Sequence, residues 1–369
     1  LTPLKKSILL LSLLIHSIIF SQSGNVTPKY SNEFLTIGVG ADALGLGNAV
    51  VAQTGGVYAG FWNPAGLTQT TKKIDVGLMH SDYFAGIAKY DYLGIAHRIN
   101  SNSAIGFSAI RFAVDNILNT TQLIDNSGNV NYDNIKTFAA ADYGFLVSYA
   151  RKLKKEGLSL GGSFKLIHRK IGDFAHSWGF GLDAGLQYTT KNEWKFGFMA
   201  KDVSSTFNAW VFTLDQQTKD VFTATGNAIP RNGIELTLPR FIAAGYHSFK
   251  LGKKGLYTST ELDLDITTDG MRNTLIKSGL FSVDPHFGLE IGYKKIVRVR
   301  GGVNSLQYAK DFKGTKQLSV QPNIGIGLTI KNFQLDYAFT HIGDASVALY
   351  SHIISLRIQL ANPTKKSGS

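Results

Sequence analysis

Glu261, Asp263 and Asp265 occupy every second position of one short run, with Leu262 and Leu264 between them. In an extended strand that spacing sends three carboxylates to one face and the leucines to the other. A row of acids of this kind can hold a cation, set a selectivity patch, or pair with positive charge on neighbouring strands. Glu290 falls on the same face of the next apolar run, and Arg298 and Arg300 on that of the run after it. A three-residue turn from Lys294 to Ile296 puts Glu290 directly across from Arg300, within ion-pair range. An ion-pair ladder holding a wall, or something enclosed by it, accounts for Glu261, Asp263, Asp265, Glu290, Arg298 and Arg300 more simply than a cation site does.

Other chemistry finds little support. Gly45-Leu46-Gly47-Asn48-Ala49-Val50 comes close to a dinucleotide fingerprint, but that motif works only between a strand and a helix of a βαβ unit. Here an Asn-Pro-Ala break and strand-like runs follow. The nine histidines, His80, His97, His168 and His247 among them, lack ligand spacing, so no metal centre and no cofactor are expected. No serine stands in a nucleophile-elbow setting. With no cysteine in the chain, disulfides, thiolate metal sites and a lipidated cysteine are excluded. The expectation is a protein that is not an enzyme.

The elements that must position these residues read as strands. From Lys72 to Leu360, about fourteen stretches of roughly 9 to 13 residues alternate apolar with small or polar side chains. Trp178, Phe180, Leu182, Ala184, Leu186 and Tyr188 interleave with Gly179, Gly181, Asp183, Gly185 and Gln187. Runs near Lys89 to His97 and Phe241 to Phe249 alternate poorly. The 39 glycines, 15 tyrosines and 23 phenylalanines beside only eight prolines fit membrane strands whose other face lines a crowded interior. An apolar outer face with aromatics near strand ends meets a bilayer and its interfaces, so outer-membrane lipid is the expected surround.

Connections are read as alternating between long and short. Long ones run from Ser81 to Ile87, Ala113 to Ala141, Lys170 to His176, Asp202 to Thr237, Thr267 to Asp284, Ser305 to Gln317 and His341 to Leu349. Short turns lie between them, which is the rim pattern of an up-and-down barrel and puts both termini on the short-turn, periplasmic side. The net charge of +12 gathers near those turns, at Arg151, Lys152, Lys154, Lys155, Lys250, Lys294 and Lys295 among others. Without aromatics interleaved on one basic face, nucleic acid is not an expected partner. The long stretch from Asp202 to Thr237 carries Phe207, Trp210, Phe212 and Phe222, and is read as an apolar loop able to meet a partner, lie on the membrane or fold over the barrel mouth.

Residues 1–21 have the basic start, apolar run and small polar end of an export signal. From there to residue 71 the chain does not read as strand. Gly40, Ala41, Leu44, Gly45 and Gly47 form a glycine-rich run, and Trp62-Asn63-Pro64-Ala65-Gly66 closes the segment with a break. It holds too many breakers for a strand and too many apolar residues for a linker. A compact plug folded inside the barrel satisfies both constraints. The domains expected are a signal peptide (1–21), a plug segment (22–71), a barrel (72–360) and a polar tail (361–369).

The glycine-rich run from Gly40 to Gly47 followed by Asn63-Pro64-Ala65, ahead of fourteen strands, resembles the PorV/PorQ-like outer-membrane proteins, relatives of FadL-type fatty-acid transporters. The resemblance implies an all-β, 14-stranded antiparallel transmembrane barrel with its N-terminal segment in the lumen, in the outer membrane of a Gram-negative bacterium. One departure is the last strand, which ends on Leu360 where such barrels commonly end on an aromatic. Two roles follow from the resemblance. One is a subunit of a larger outer-membrane export complex of the type IX secretion kind, contacting a larger barrel or secreted client proteins. The other is a gated channel for hydrophobic small molecules with a lipid-like ligand. Inward positions that are mainly Gly, Ser, Asp, Gln and Arg favour the first.

Overall fold

The computed structural model describes residues 31–123, 129–252, 254–310, 315–341 and 350–361. The signal peptide, the first residues of the expected plug segment and nearly all of the polar tail lie outside them. Strands β1 (Ile74–Tyr83), β2 (Ala88–Arg98), β3 (Ser103–Asn119), β4 (Lys136–Lys152), β5 (Leu158–Ile171) and β6 (Ala175–Thr189) follow one another as antiparallel hairpins. Next come β7 (Lys195–Lys201), β8 (Thr206–Phe212), β9 (Gly233–Thr237), β10 (Arg240–Leu251) and β11 (Leu256–Thr267). The chain continues through β12 (Ile276–Lys277), β13 (Ser282–Tyr293), β14 (Val297–Lys310), β15 (Lys316–Ile330), β16 (Phe333–Thr340) and β17 (Ser351–Leu360).

Pairing of β1 with both β2 and β17 closes the sheet. The ring is a 14-strand antiparallel barrel made of β1–β7, β10, β11 and β13–β17. β8 takes over from β7 along the upper part of β6, and β9 lies beside β8. Apolar side chains point outward along the wall: Trp178, Phe180 and Leu182 are exposed while Gly179, Gly181 and Asp183 are buried. That is the burial order of a sheet whose outer face meets lipid and whose inner face is filled.

The two poorly alternating runs have an interior explanation. In β2 the inward positions are Tyr90 and Tyr92, both buried, so aromatics occupy the face that is small or polar elsewhere. In β10 the inward Ile242 and Ala244 pack with Val51, Ala52 and Met199, making both faces apolar.

Connections depart from the expected alternation. Lys170 to His176 is no long loop: β5 and β6 meet over residues 172–174, with the Phe174 N–H donating to the Ile171 carbonyl at 3.0 Å. β3 and β4 extend far into the expected 113–141 loop, and β14 and β15 into the 305–317 loop. Both extensions contain a bulge, between Val114 and Ile117 and between Asn304 and Gln307. A bulge swaps the side-chain faces beyond it, so the period-two signal breaks while the hydrogen-bond ladder continues. Asp202 to Thr237 is corrected likewise, because it contains β8, a helix at Gln216–Ala224 and β9. The expected loop from His341 to Leu349 lies almost wholly outside the described residues.

Candidate functional site in the barrel interior

Residues 31–70 form short helical turns rather than strand, including Ala41–Leu44, Ala59–Trp62 and Pro64–Gln69. Most of this segment is buried, and it packs against inward faces around the ring. Its glycines serve the turns: Gly47, with φ 63°, is followed by Asn48 at φ 68°, a left-handed pair that only Gly and Asn adopt cheaply. Asn63, fully buried, ties the segment together. Its side-chain amide donates to the Val51 carbonyl at 3.0 Å and to the wall carbonyl of Leu186 at 3.1 Å, and its Oδ1 accepts from the Ala65 N–H at 3.2 Å. Pro64 then starts the last turn, where no N–H is needed. Trp62 Nε1 donates to the Val39 carbonyl at 2.8 Å, and its ring lies where any side chain on Gly38 would stand. The Ala41 N–H donates to Ser355 Oγ of β17 at 3.0 Å, and Leu44 is buried between the segment and the wall.

The wall makes room by carrying glycine on its inner face. A Cβ on Gly197 would sit 2.6 Å from the Val51 carbonyl oxygen and 2.7 Å from Ala52 Cα. Gly302 opposes Leu46 and Gly47, Gly161 opposes Pro64 and Ala65, and Gly325 opposes Gly45. Backbone thus meets backbone at van der Waals distance around the ring, and Gly66 packs as closely on Thr54 within the segment.

The charged residues separate into three arrangements rather than one ladder. Glu261 and Asp263 face the segment's backbone: the Ala52 N–H donates to Glu261 Oε1 at 2.6 Å, and the Val50 and Val51 N–H groups both donate to Asp263 Oδ2 at 3.1 Å. These N–H groups would otherwise be buried without acceptors. Asp265 pairs with Arg240, whose Nε donates to Oδ1 at 2.5 Å. Arg300 lies across from Glu290 and bridges it at 2.7 Å while reaching Asp336 of β16, also at 2.7 Å. Arg298 donates to Thr329 and has no carboxylate within ion-pair distance among the described residues.

Sequence reasoning missed two further interior pairs. Asp75 of β1 binds Arg357 of β17 across the seam that closes the barrel, and also accepts from the Val57 N–H at 3.2 Å. Lys165 lies between Asp183 at 2.8 Å and Asp202 at 2.6 Å. The available signal was a lone charge on the small-residue face of a barrel strand. Lys201, buried on the same side, rests over the Phe61 ring at 4.4 Å. Within the segment, burial and then the nearby Asp336 carboxylate push the Asp42 carboxyl above its usual range, against the pull of Arg300 and Arg357. Burial likewise raises the Tyr58 phenol well above its ordinary value.

The residues expected on a partner loop are not on a loop. Phe207, Trp210 and Phe212 belong to β8, and Phe222 to the helix. Phe207 faces outward with Val211, whereas Trp210 turns inward, donates from Nε1 to Glu235 at 3.0 Å and lies under the Arg169 guanidinium. Outward Ile234 on β9, 75% exposed, continues the Phe207 and Val211 face. Among the described residues no three metal-ligating side chains converge. On the side of the longer connections a cavity of about 540 Å³ remains, with Phe34, Tyr83, Phe84 and Phe112 facing Arg272 and Asp284.

Residues 21–195 match the family model described as "Type IX secretion system protein PorV". No curated protein matches the chain. Among solved structures, the "CymD monoaromatic hydrocarbon channel" aligns with a TM-score of 0.56 at 14% identity, covering 88% of this chain and 98% of that one. The Ralstonia pickettii toluene transporter TbuX aligns at 0.52 and 15% identity, with the same 88% and 98% coverage. The Pseudomonas putida toluene transporter TodX gives 0.54 at 11% identity, again covering 88% and 98%. Identities this low carry the fold and not the ligand. The chain is therefore PorV-like over residues 21–195 and has the fold of FadL-type outer-membrane barrels.

Proposed function

From a chain that is PorV-like over residues 21–195, we propose a non-catalytic partner subunit of a larger outer-membrane protein-export assembly of the type IX kind. It sits in the outer membrane of a Gram-negative bacterium with both termini in the periplasm. The observation that carries this reading is how the interior polar groups are spent. Asp263 and Glu261 accept the backbone N–H groups of Val50, Val51 and Ala52, and Asn63 spans from Val51 to the wall. A lumen organised to hold its own N-terminal segment is a scaffold whose working surfaces are its outer wall and rims. The exposed face of Phe207, Val211 and Ile234, where β8 and β9 continue the wall beyond β7 and β10, supports a contact there with a larger barrel or a client.

The competing role is a gated channel for hydrophobic molecules. The aromatic residues of the 540 Å³ cavity favour it, and the charges facing them count against it. Mild-detergent isolation of the tagged protein from its native membrane, with mass spectrometry, separates the two. Stoichiometric recovery of one large outer-membrane barrel supports the subunit. Recovery of the protein alone, carrying bound fatty acid or hydrocarbon, overturns that role in favour of the channel.

A further inference from the structure

At the short-turn end the interior segment leaves part of the lumen unfilled. A vestibule of about 810 Å³ opens there between the ends of β6, β7, β10, β11 and β13. Four lysines border it, Lys195 on β7, Lys250 on β10, and Lys294 and Lys295 in the β13–β14 turn, although Lys294 turns its ammonium over the outward ring of Tyr293 at 5.2 Å. None of the four has a carboxylate within ion-pair distance among the described residues. Two tyrosines form its aromatic part. Lys195 rests over the Tyr246 ring at 5.3 Å, and the Tyr257 hydroxyl donates to Glu290 at 2.9 Å. The lining holds two acids, Glu290, which is bridged to an Arg300 that it shares with Asp336, and the exposed Glu193.

We propose that this vestibule is a binding site for a carboxylate-rich peptide segment of a soluble partner. Its volume lies in the usual range for bound ligands, about 300–1,000 Å³, and the unpaired ammonium groups of Lys195, Lys250 and Lys295, the first of them over a tyrosine face, complement an extended acidic chain. Bilayer lipid is a poorer match. Outward positions on the same strands are apolar, as at Phe196, Phe198 and Phe249, so lipid would meet the outside of the wall while Lys195 and Lys250 line the inside. The chain's own last residues carry Lys365 and Lys366 and no acidic side chain, so they do not supply such a segment. Placing the partner in the periplasm rests on the orientation proposed above; the binding itself does not.

The test is fluorescence anisotropy with the full chain in detergent, using a short labelled peptide rich in Asp and Glu and a Lys-rich peptide as control. The expected result is saturable binding of the acidic peptide alone, weakened by salt. Lys250→Glu with Lys295→Glu should weaken it roughly tenfold or more, and Lys154→Glu with Lys155→Glu, in the β4–β5 turn outside the vestibule, should not. All variants are checked for the folded barrel by gel mobility before and after boiling. Equal loss in both double variants reduces the effect to general rim charge and overturns the proposal. So does absence of saturable binding to folded protein, or competition by anionic phospholipid micelles as effective as by unlabelled peptide. Peptide binding is read on isolated protein and co-purification on the assembly, so either reading can fail alone.

Discussion

Replacing Arg357 by methionine tests how the barrel is closed. Asp75, 0% exposed, is bound by the Arg357 guanidinium and by one backbone N–H, on the strand pair that joins the first strand to the last. Removing one partner of a buried ion pair costs about 3–5 kcal/mol, because the remaining charge stays desolvated. The Val57 N–H still solvates Asp75, and Arg357 is 16% exposed, which puts this case near the lower end. A loss of about 3 kcal/mol is roughly a hundredfold in the unfolding equilibrium. Adding Asp75→Asn removes the stranded charge, so the double variant should regain most of the loss, and the cycle should show strong coupling. Urea unfolding in detergent, followed by tryptophan fluorescence and gel mobility, measures all four proteins. An Arg357→Met variant indistinguishable from wild type, or a double variant no better than the single, would show that this ion pair does not hold the seam.

Three smaller perturbations probe the interior segment and one exposed helix cap. Gly197→Val puts a side chain into the backbone at Val51 and Ala52, costing about 1–3 kcal/mol or displacing the segment; a protease that cuts after aromatics should reach Tyr58 to Trp62 faster than in wild type. Burial raises the Asp42 pKa, so the wild type's advantage exists below the ordinary value of 3.8 and is lost as pH climbs through the raised one. Asp42→Asn should accordingly unfold later than wild type at pH 7 and together with it in strong acid. The Asp215 side chain accepts from the Thr218 N–H at 2.7 Å and caps the helix Gln216–Ala224, and hydrogen bonds first from the Thr218 side chain and then from that N–H lower its pKa. Hydrogen exchange in that helix should rise in Asp215→Ala, and in wild type as pH falls below the usual carboxylate range, while global unfolding stays unchanged.

Much of the wall was readable because one physical constraint repeats along it. Residues such as Phe180 and Leu182 must face lipid while their neighbours face a filled interior, and a period of two records that. The signal failed at β2 and β10, where Tyr90, Tyr92, Ile242 and Ala244 put large or apolar groups inside. It failed again beyond the bulges of β3 and β14, where the faces exchange. Glu290 opposite Arg300 could be found from sequence since only three residues separate their strands. Partners of Glu261 and Asp263 could not, because they are backbone groups more than 200 residues away. Arg357 and Asp75 lie at opposite ends of the wall, 282 residues apart, and meet only because the barrel closes.

On the proposed role the interior segment stays in place while the protein works. Gly60 and Ser148 of β4 allow a direct test, since a Cβ on Gly60 would lie 3.9 Å from the Ser148 Cβ, suited to a disulfide, and no native cysteine interferes. Secretion by cells carrying Gly60→Cys with Ser148→Cys should be measured with the bridge oxidised and reduced. Equal secretion in both states, at the wild-type level, is the result expected of a subunit whose interior is fixed. Secretion that stops on oxidation and returns on reduction would contradict it, and would make movement of the segment part of the protein's work.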